Sequence, residues 1–140
     1  MGLKAVAARL MATREYKRVQ EWATKPIEAQ SKTFEELLNV LEKTAFGKEH
    51  GITTQTSLEE WSSKIPLRDY EQLKPWVERI QSGEEDVLWK GRPQYFCKTS
   101  GTTSGTKYIP MSDEGINAQT RAARSALLHY IHETGNALFA

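Results

Sequence analysis

Residues 98 to 107, Lys-Thr-Ser-Gly-Thr-Thr-Ser-Gly-Thr-Lys, are the one stretch of this chain whose residue types and spacing point to a definite chemistry. Glycines leave backbone N–H groups unhindered, hydroxyls add donors and a terminal ammonium adds charge, a combination suited to phosphate oxygens. The spacing is not that of the nucleoside triphosphate P-loop, which needs Gly, four residues, Gly, Lys and then Ser or Thr for magnesium. Here three residues separate Gly101 from Gly105, Thr106 precedes Lys107, and Tyr108 stands where the metal-binding hydroxyl would be. No Gly-x-Gly occurs in the segment, so the dinucleotide and kinase patterns fail as well. Composition alone leaves a second reading open, that of a flexible Gly-Ser-Thr turn.

Other chemistry-bearing residues are sparse. His129 and His132 stand three apart on an expected helix, but no Glu-x-x-His pattern or third ligand accompanies them, so they read as surface or interface residues. His50, between Glu49 and Gly51, reads as a helix-ending residue in a turn. Cys97 has no catalytic partner in the pattern and reads as a small buried hydrophobe. Trp22, Trp61, Trp76 and Trp89 are widely spaced and read as core.

The elements that must position the loop are mostly helical. Leu3, Val6, Leu10 and Met11 repeat at helical spacing, and that helix is expected to run to about Trp22. Thr24 can cap a second helix with Pro26 in its first turn; Ile27, Phe34, Leu38, Leu41 and Ala45 line one face and Gly47 is a natural terminator. Ser57 with Glu60 forms a capping box before a short turn that Pro66 stops. Asp69 starts a helix that Pro75 restarts or kinks, ending near Ser82 and Gly83, and Glu84 to Asp86 reads as a solvated loop. Val87 to Trp89, Gln94 to Cys97 and Tyr108 to Pro110 read as short strands. Ser112, followed by Asp113 and Glu114, opens a last helix with Ile116, Thr120, Ala123, Leu127, Tyr130 and Ile131 on one face, closed by Gly135.

The chain's 140 residues suit a single core, and 39% hydrophobic with 26% charged residues is a globular balance. Lys plus Arg is 19 against 18 for Asp plus Glu, so no global field draws the chain to nucleic acid or anionic lipid. A single cysteine rules out an internal disulfide and fits a reducing, cytoplasmic setting. The apolar runs fall far short of the about 20 residues that cross a bilayer. The basic start, Lys4, Arg9 and Arg14 with no acid before Glu15, could pass for a presequence but lacks an apolar h-region, and Val6 stands where myristoylation needs Ser or Thr. Ala137 to Ala140 begin an apolar run without a partner element, so a truncated chain is expected.

Three blocks in order narrow the reading: Phe46-Gly47-Lys48-Glu49-His50-Gly51-Ile52, Lys64-Ile65-Pro66-Leu67-Arg68-Asp69-Tyr70, and Cys97 through the loop to Pro110. The loop resembles the phosphate loop of adenylate-forming enzymes, and the three blocks together resemble the N-terminal part of the GH3 auxin-responsive family of acyl acid amido synthetases, bacterial relatives included, over about residues 25 to 135. The resemblance implies that residues 1–140 are the incomplete N-terminal part of an adenylate-forming large domain. The expected fold is α+β or α/β, a helical lead-in followed by a strand-loop-strand edge and a helix. It also implies a two-step reaction with ATP and Mg²⁺: a carboxylic acid becomes an acyl-adenylate, and an amino acid or other amine then displaces AMP. On that basis Thr99, Ser100, Gly101, Thr102, Thr103, Ser104, Gly105, Thr106 and Lys107 are the candidate nucleotide-binding residues, with Lys107 supplying catalytic charge toward the departing pyrophosphate. Arg121 and Arg124, on the helix after the loop, become candidates for holding the acid substrate. The fragment by itself is not expected to turn over. A noncatalytic nucleotide- or phosphate-binding module and a helical interaction fragment stay as alternatives.

Overall fold

Side-chain capping sets where three of the helices begin. The computed structural model describes residues 3–99 and 105–137. Its elements are α1 (Leu3–Ala23), α2 (Pro26–Leu41), α3 (Ala45–Glu49), α4 (Leu58–Lys64), α5 (Tyr70–Gln81), β1 (Tyr95–Thr99), β2 (Lys107–Met111) and α6 (Asp113–Thr134). This is the expected helical α+β class, with β1 and β2 forming a two-stranded antiparallel sheet in the register Thr99 to Lys107 and Cys97 to Ile109. The Ser57–Glu60 capping box opens α4 as expected, and a second box, Asp69 with Gln72, opens α5. Pro75 neither ends nor restarts α5. Trp76, Val77 and Ile80 are buried along its inner face, and that packing holds the helix across the one missing N–H. No helix among the described residues is long and apolar enough to cross a membrane.

The chain forms two compact units, one drawn from Met1–Ser31 and Glu114–Ala140, the other from Lys32–Asp113. In the first, Ala8 and Ala12 of α1 pack with Leu128 and Ile131 of α6 and with Ala137. The expected stripe of α1 is the wrong face: Leu3, Val6, Leu10 and Met11 are exposed. Alanines lie at the contact because helix axes approach more closely over small side chains. In α6 the expected face holds in part: Ile131 is buried as expected, but Leu127 and Tyr130 are exposed and Leu128 is buried instead. Trp22 is also exposed, contrary to its assignment to the core. The Arg9 guanidinium donates to the Gly135 carbonyl at 2.6 Å, just beyond the end of α6.

The core of the second unit is Phe46, Trp76, Ile80 and Val87, with Leu73, Leu88 and Phe96 packed at its edge. Two expectations fail here for the same reason. The helix before it stops at Leu41, and Gly47 lies inside α3 instead of ending α2. Thr44, fully buried, caps α3 by accepting the Gly47 N–H at 3.0 Å. Val87 to Trp89 form no strand, because the carbonyls of Asp86 and Val87 take the first N–H groups of α3, from Ala45 at 2.7 Å and Phe46 at 3.0 Å. The acidic run is therefore more than a solvated loop. Asp86 sits in the left-handed region at φ 54°, accepts the Gly91 N–H on its carboxylate at 2.6 Å, and bends the segment onto α3.

Candidate functional site

The hairpin delivers the candidate phosphate segment. β1 ends at Thr99, β2 begins at Lys107, and the two are paired, so the Ser/Thr/Gly segment is closed at its base by a residue pair that both belong to the candidate site. Ser100, Gly101, Thr102, Thr103 and Ser104 lie outside the described residues. Gly105 and Thr106 are exposed; Gly105 has φ 82°, and a Cβ built there would meet nothing within 4 Å among the described residues.

Lys107 is half-buried, and its ammonium lies 5.5 Å from the centroid of the Tyr70 ring. Among the described residues no carboxylate pairs with it. Tyr70, the first residue of α5, holds the next residue of β2 by both backbone groups: the Tyr108 N–H donates to the Tyr70 hydroxyl at 2.8 Å, and that hydroxyl donates to the Tyr108 carbonyl at 3.3 Å. In an antiparallel ladder alternate residues turn these groups away from the partner strand, and Tyr70 satisfies both on the edge that β1 leaves open.

One step further out, the first two of the three blocks meet. The His50 Nδ1 is 2.8 Å from the Phe46 carbonyl, which can only accept, so Nδ1 carries the proton and Nε2 accepts from the Arg68 guanidinium at 2.8 Å. The imidazole stacks on Phe46 at 4.1 Å between centroids, and the Arg68 guanidinium lies 5.5 Å from the centroid of the same ring. His50 also caps α3 at its C-terminus, as its position between Glu49 and Gly51 led one to expect. An apolar cleft of about 360 Å³, walled by Leu73, Val77, Val87, Leu88 and Ile109, opens beside Tyr108.

Arg121 and Arg124 lie exposed on α6, in the other unit. Arg124 helps hold the Glu15 carboxyl of α1 below the usual carboxylate range, after the larger effects of hydrogen bonds from Arg18 and Ser125. Cys97 is exposed and not buried: alternation along β1 sends Phe96 to the core and Cys97 away from it. His132 stacks on Tyr16 at 4.1 Å, His129 tilts against the same ring at 5.2 Å, and among the described residues no group of three or more His, Cys, Asp or Glu is placed to hold a metal.

Sequence comparison matches the GH3 family N-terminal domain over residues 15–138. The chain belongs to the GH3 family. It is 30% identical over 90 residues to an indole-3-acetic acid-amido synthetase of Arabidopsis thaliana, a match covering 63% of this chain and 15% of the relative. It is 27% identical over 118 residues to a jasmonoyl-L-amino acid synthetase of Oryza sativa subsp. japonica, covering 83% of this chain and 19% of the relative. These matches thus span less than a fifth of either relative. Sequence reasoning singled out the candidate segment through its composition and missed Tyr70, whose signal was its place directly after the Asp69 helix start in one of the three blocks.

Proposed function

We propose that this GH3 chain is the phosphate-binding, N-terminal portion of an ATP-dependent amide-forming ligase that activates a carboxylic acid and joins it to an amino acid or other amine. The observation that carries the reading is Lys107, an ammonium with no carboxylate partner among the described residues, placed at the base of a hairpin whose connection is rich in Gly, Ser and Thr. Membership of the family, and relatives named as amido synthetases, support the same chemistry.

In this reading the backbone at Gly101 and Gly105 and the hydroxyls of Thr99, Ser100, Thr102, Thr103, Ser104 and Thr106 cradle the phosphates, and Lys107 balances charge on the pyrophosphate as it departs. The positive φ of Gly105, 82°, which only glycine adopts freely, fits such a guest. Mg²⁺ would ride chiefly on the nucleotide's own phosphate oxygens and water, the usual habit of that ion. ATP with Mg²⁺ supplies the adenylyl group. Arg121 and Arg124 are assigned to the acid substrate. The setting is taken as the cytoplasm.

Two measurements test the proposal. Pyrophosphate or ATP titrated into the chain should bind, and Lys107→Ala or Ser100→Ala should weaken binding about tenfold or more, the size of a charge-assisted hydrogen bond. Equal binding by wild type and Lys107→Ala would reduce the segment to a turn. Carboxylate-dependent ATP–pyrophosphate exchange, measured on a chain that includes the remaining length of its relatives, separates the ligase from a noncatalytic nucleotide-binding module.

A further inference from the structure

Lys107 has a long, flexible side chain, and among the described residues of the hairpin no carboxylate pairs with its ammonium. An isolated lysine gives up rotamer entropy when it is immobilised on a ligand. A carboxylate partner would hold it, but would also neutralise the charge and occupy the donors that an anion needs. The structure offers a third arrangement. Tyr70 carries one hydroxyl that takes both backbone groups of Tyr108, at 2.8 and 3.3 Å, and one ring whose centroid lies 5.5 Å from the Lys107 ammonium. The backbone beside the lysine and the head of the lysine are thus referred to the same side chain, at the start of a helix fixed by the Asp69–Gln72 box.

A ring face restrains a cation without cancelling its charge. Cation–π attraction at such a half-buried contact is weaker than a charge-assisted hydrogen bond to phosphate, so the ammonium can leave the ring for the ligand. Every feature needed for a presenting residue is therefore on one tyrosine.

We propose that Tyr70 is a positioning residue for Lys107, holding β2 and the ammonium in the geometry in which the loop takes phosphate. The inference rests on the phosphate-binding reading of the loop and adds to it a residue outside the loop. The test is a double-mutant cycle on the intact 140-residue chain, read as pyrophosphate affinity by NMR titration. Tyr70→Ala should weaken pyrophosphate binding about three- to tenfold, the range set by a cation–π contact and lost preorganisation. Tyr70→Phe, which keeps the ring and loses the hydroxyl, should lose less affinity and speed hydrogen exchange at the Tyr108 amide. Both losses of affinity should vanish in a Lys107→Ala background, while the faster exchange at Tyr108, which depends only on the Tyr70 hydroxyl, should remain.

Wild-type affinity in either folded Tyr70 variant overturns the proposal, as does the same fold-loss with and without Lys107. If Tyr70→Ala does not fold, Tyr70→Phe decides by the same two criteria. Failure of the underlying reading looks different: wild type binds no pyrophosphate, or Lys107→Ala alone leaves binding unchanged, and then both inferences fall together.

Discussion

No side chain fits at position 47. A Cβ there would lie 1.8 Å from the Leu41 carbonyl oxygen, which already accepts from the Thr44 N–H at 3.0 Å and the Thr44 hydroxyl at 2.8 Å. Backbone cannot swing aside as a lysine tip can, so Gly47→Ala should destabilise the chain by about 1–3 kcal/mol or more, measured by urea unfolding. The glycine was conspicuous in the sequence, but its reason was not. Read locally it looks like a helix terminator; the real constraint comes from the way Thr44 folds the chain back over the end of α2, which no spacing rule encodes. Cys97 teaches the same lesson. Its exposure follows from which neighbour the strand turns inward, and either choice was compatible with Gln94 to Cys97 as a string of letters.

Helix starts were readable because capping is local: Ser57 and Glu60, or Asp69 and Gln72, settle the matter within four residues. Helix faces were not, since which stripe is buried depends on a partner far along the chain, and in α1 the alanines outcompete leucine and methionine for the closest approach. The segment after α5 shows how such packing is completed. Arg79 lies over Trp76 and grips Glu84 with two hydrogen bonds, at 2.8 Å from Nε and 2.5 Å from the terminal nitrogen. Those bonds hold the Glu84 carboxyl below its ordinary value of 4.5. A carboxyl depressed in the folded state stabilises above its unfolded value and stops doing so as the pH falls through its folded one. The pair is solvent-exposed, so its contribution is small. Glu84→Gln should therefore lower stability slightly at neutral pH and flatten the loss seen on acidification below pH 4.5, followed by denaturant midpoints across that range.

The three sequence blocks that carried the family resemblance form one connected structure. Arg68 reaches His50, and Tyr70 reaches Tyr108, so the first block is tied to the second and the second to the strand that follows the loop. A ligand held by the loop therefore stabilises the folded chain by mass action, by about 2.7 kcal/mol at a hundred times its dissociation constant. Thermal melts of the wild-type chain should rise with pyrophosphate, and melts of Lys107→Ala at the same concentrations should rise less.

The pairing of α1 with α6 also bears on the order of events during synthesis. All of Lys32–Asp113 is contiguous, and its core can close as soon as that stretch has left the ribosome. α1 is made earlier, yet its buried partners Leu128, Ile131 and Ala137 come more than a hundred residues later. At about 5–20 residues per second, the first helix waits several seconds as a nascent chain, its Ala8 and Ala12 face uncovered, while the unit behind it folds. A helix translated ahead of that unit thus finds its place only after it.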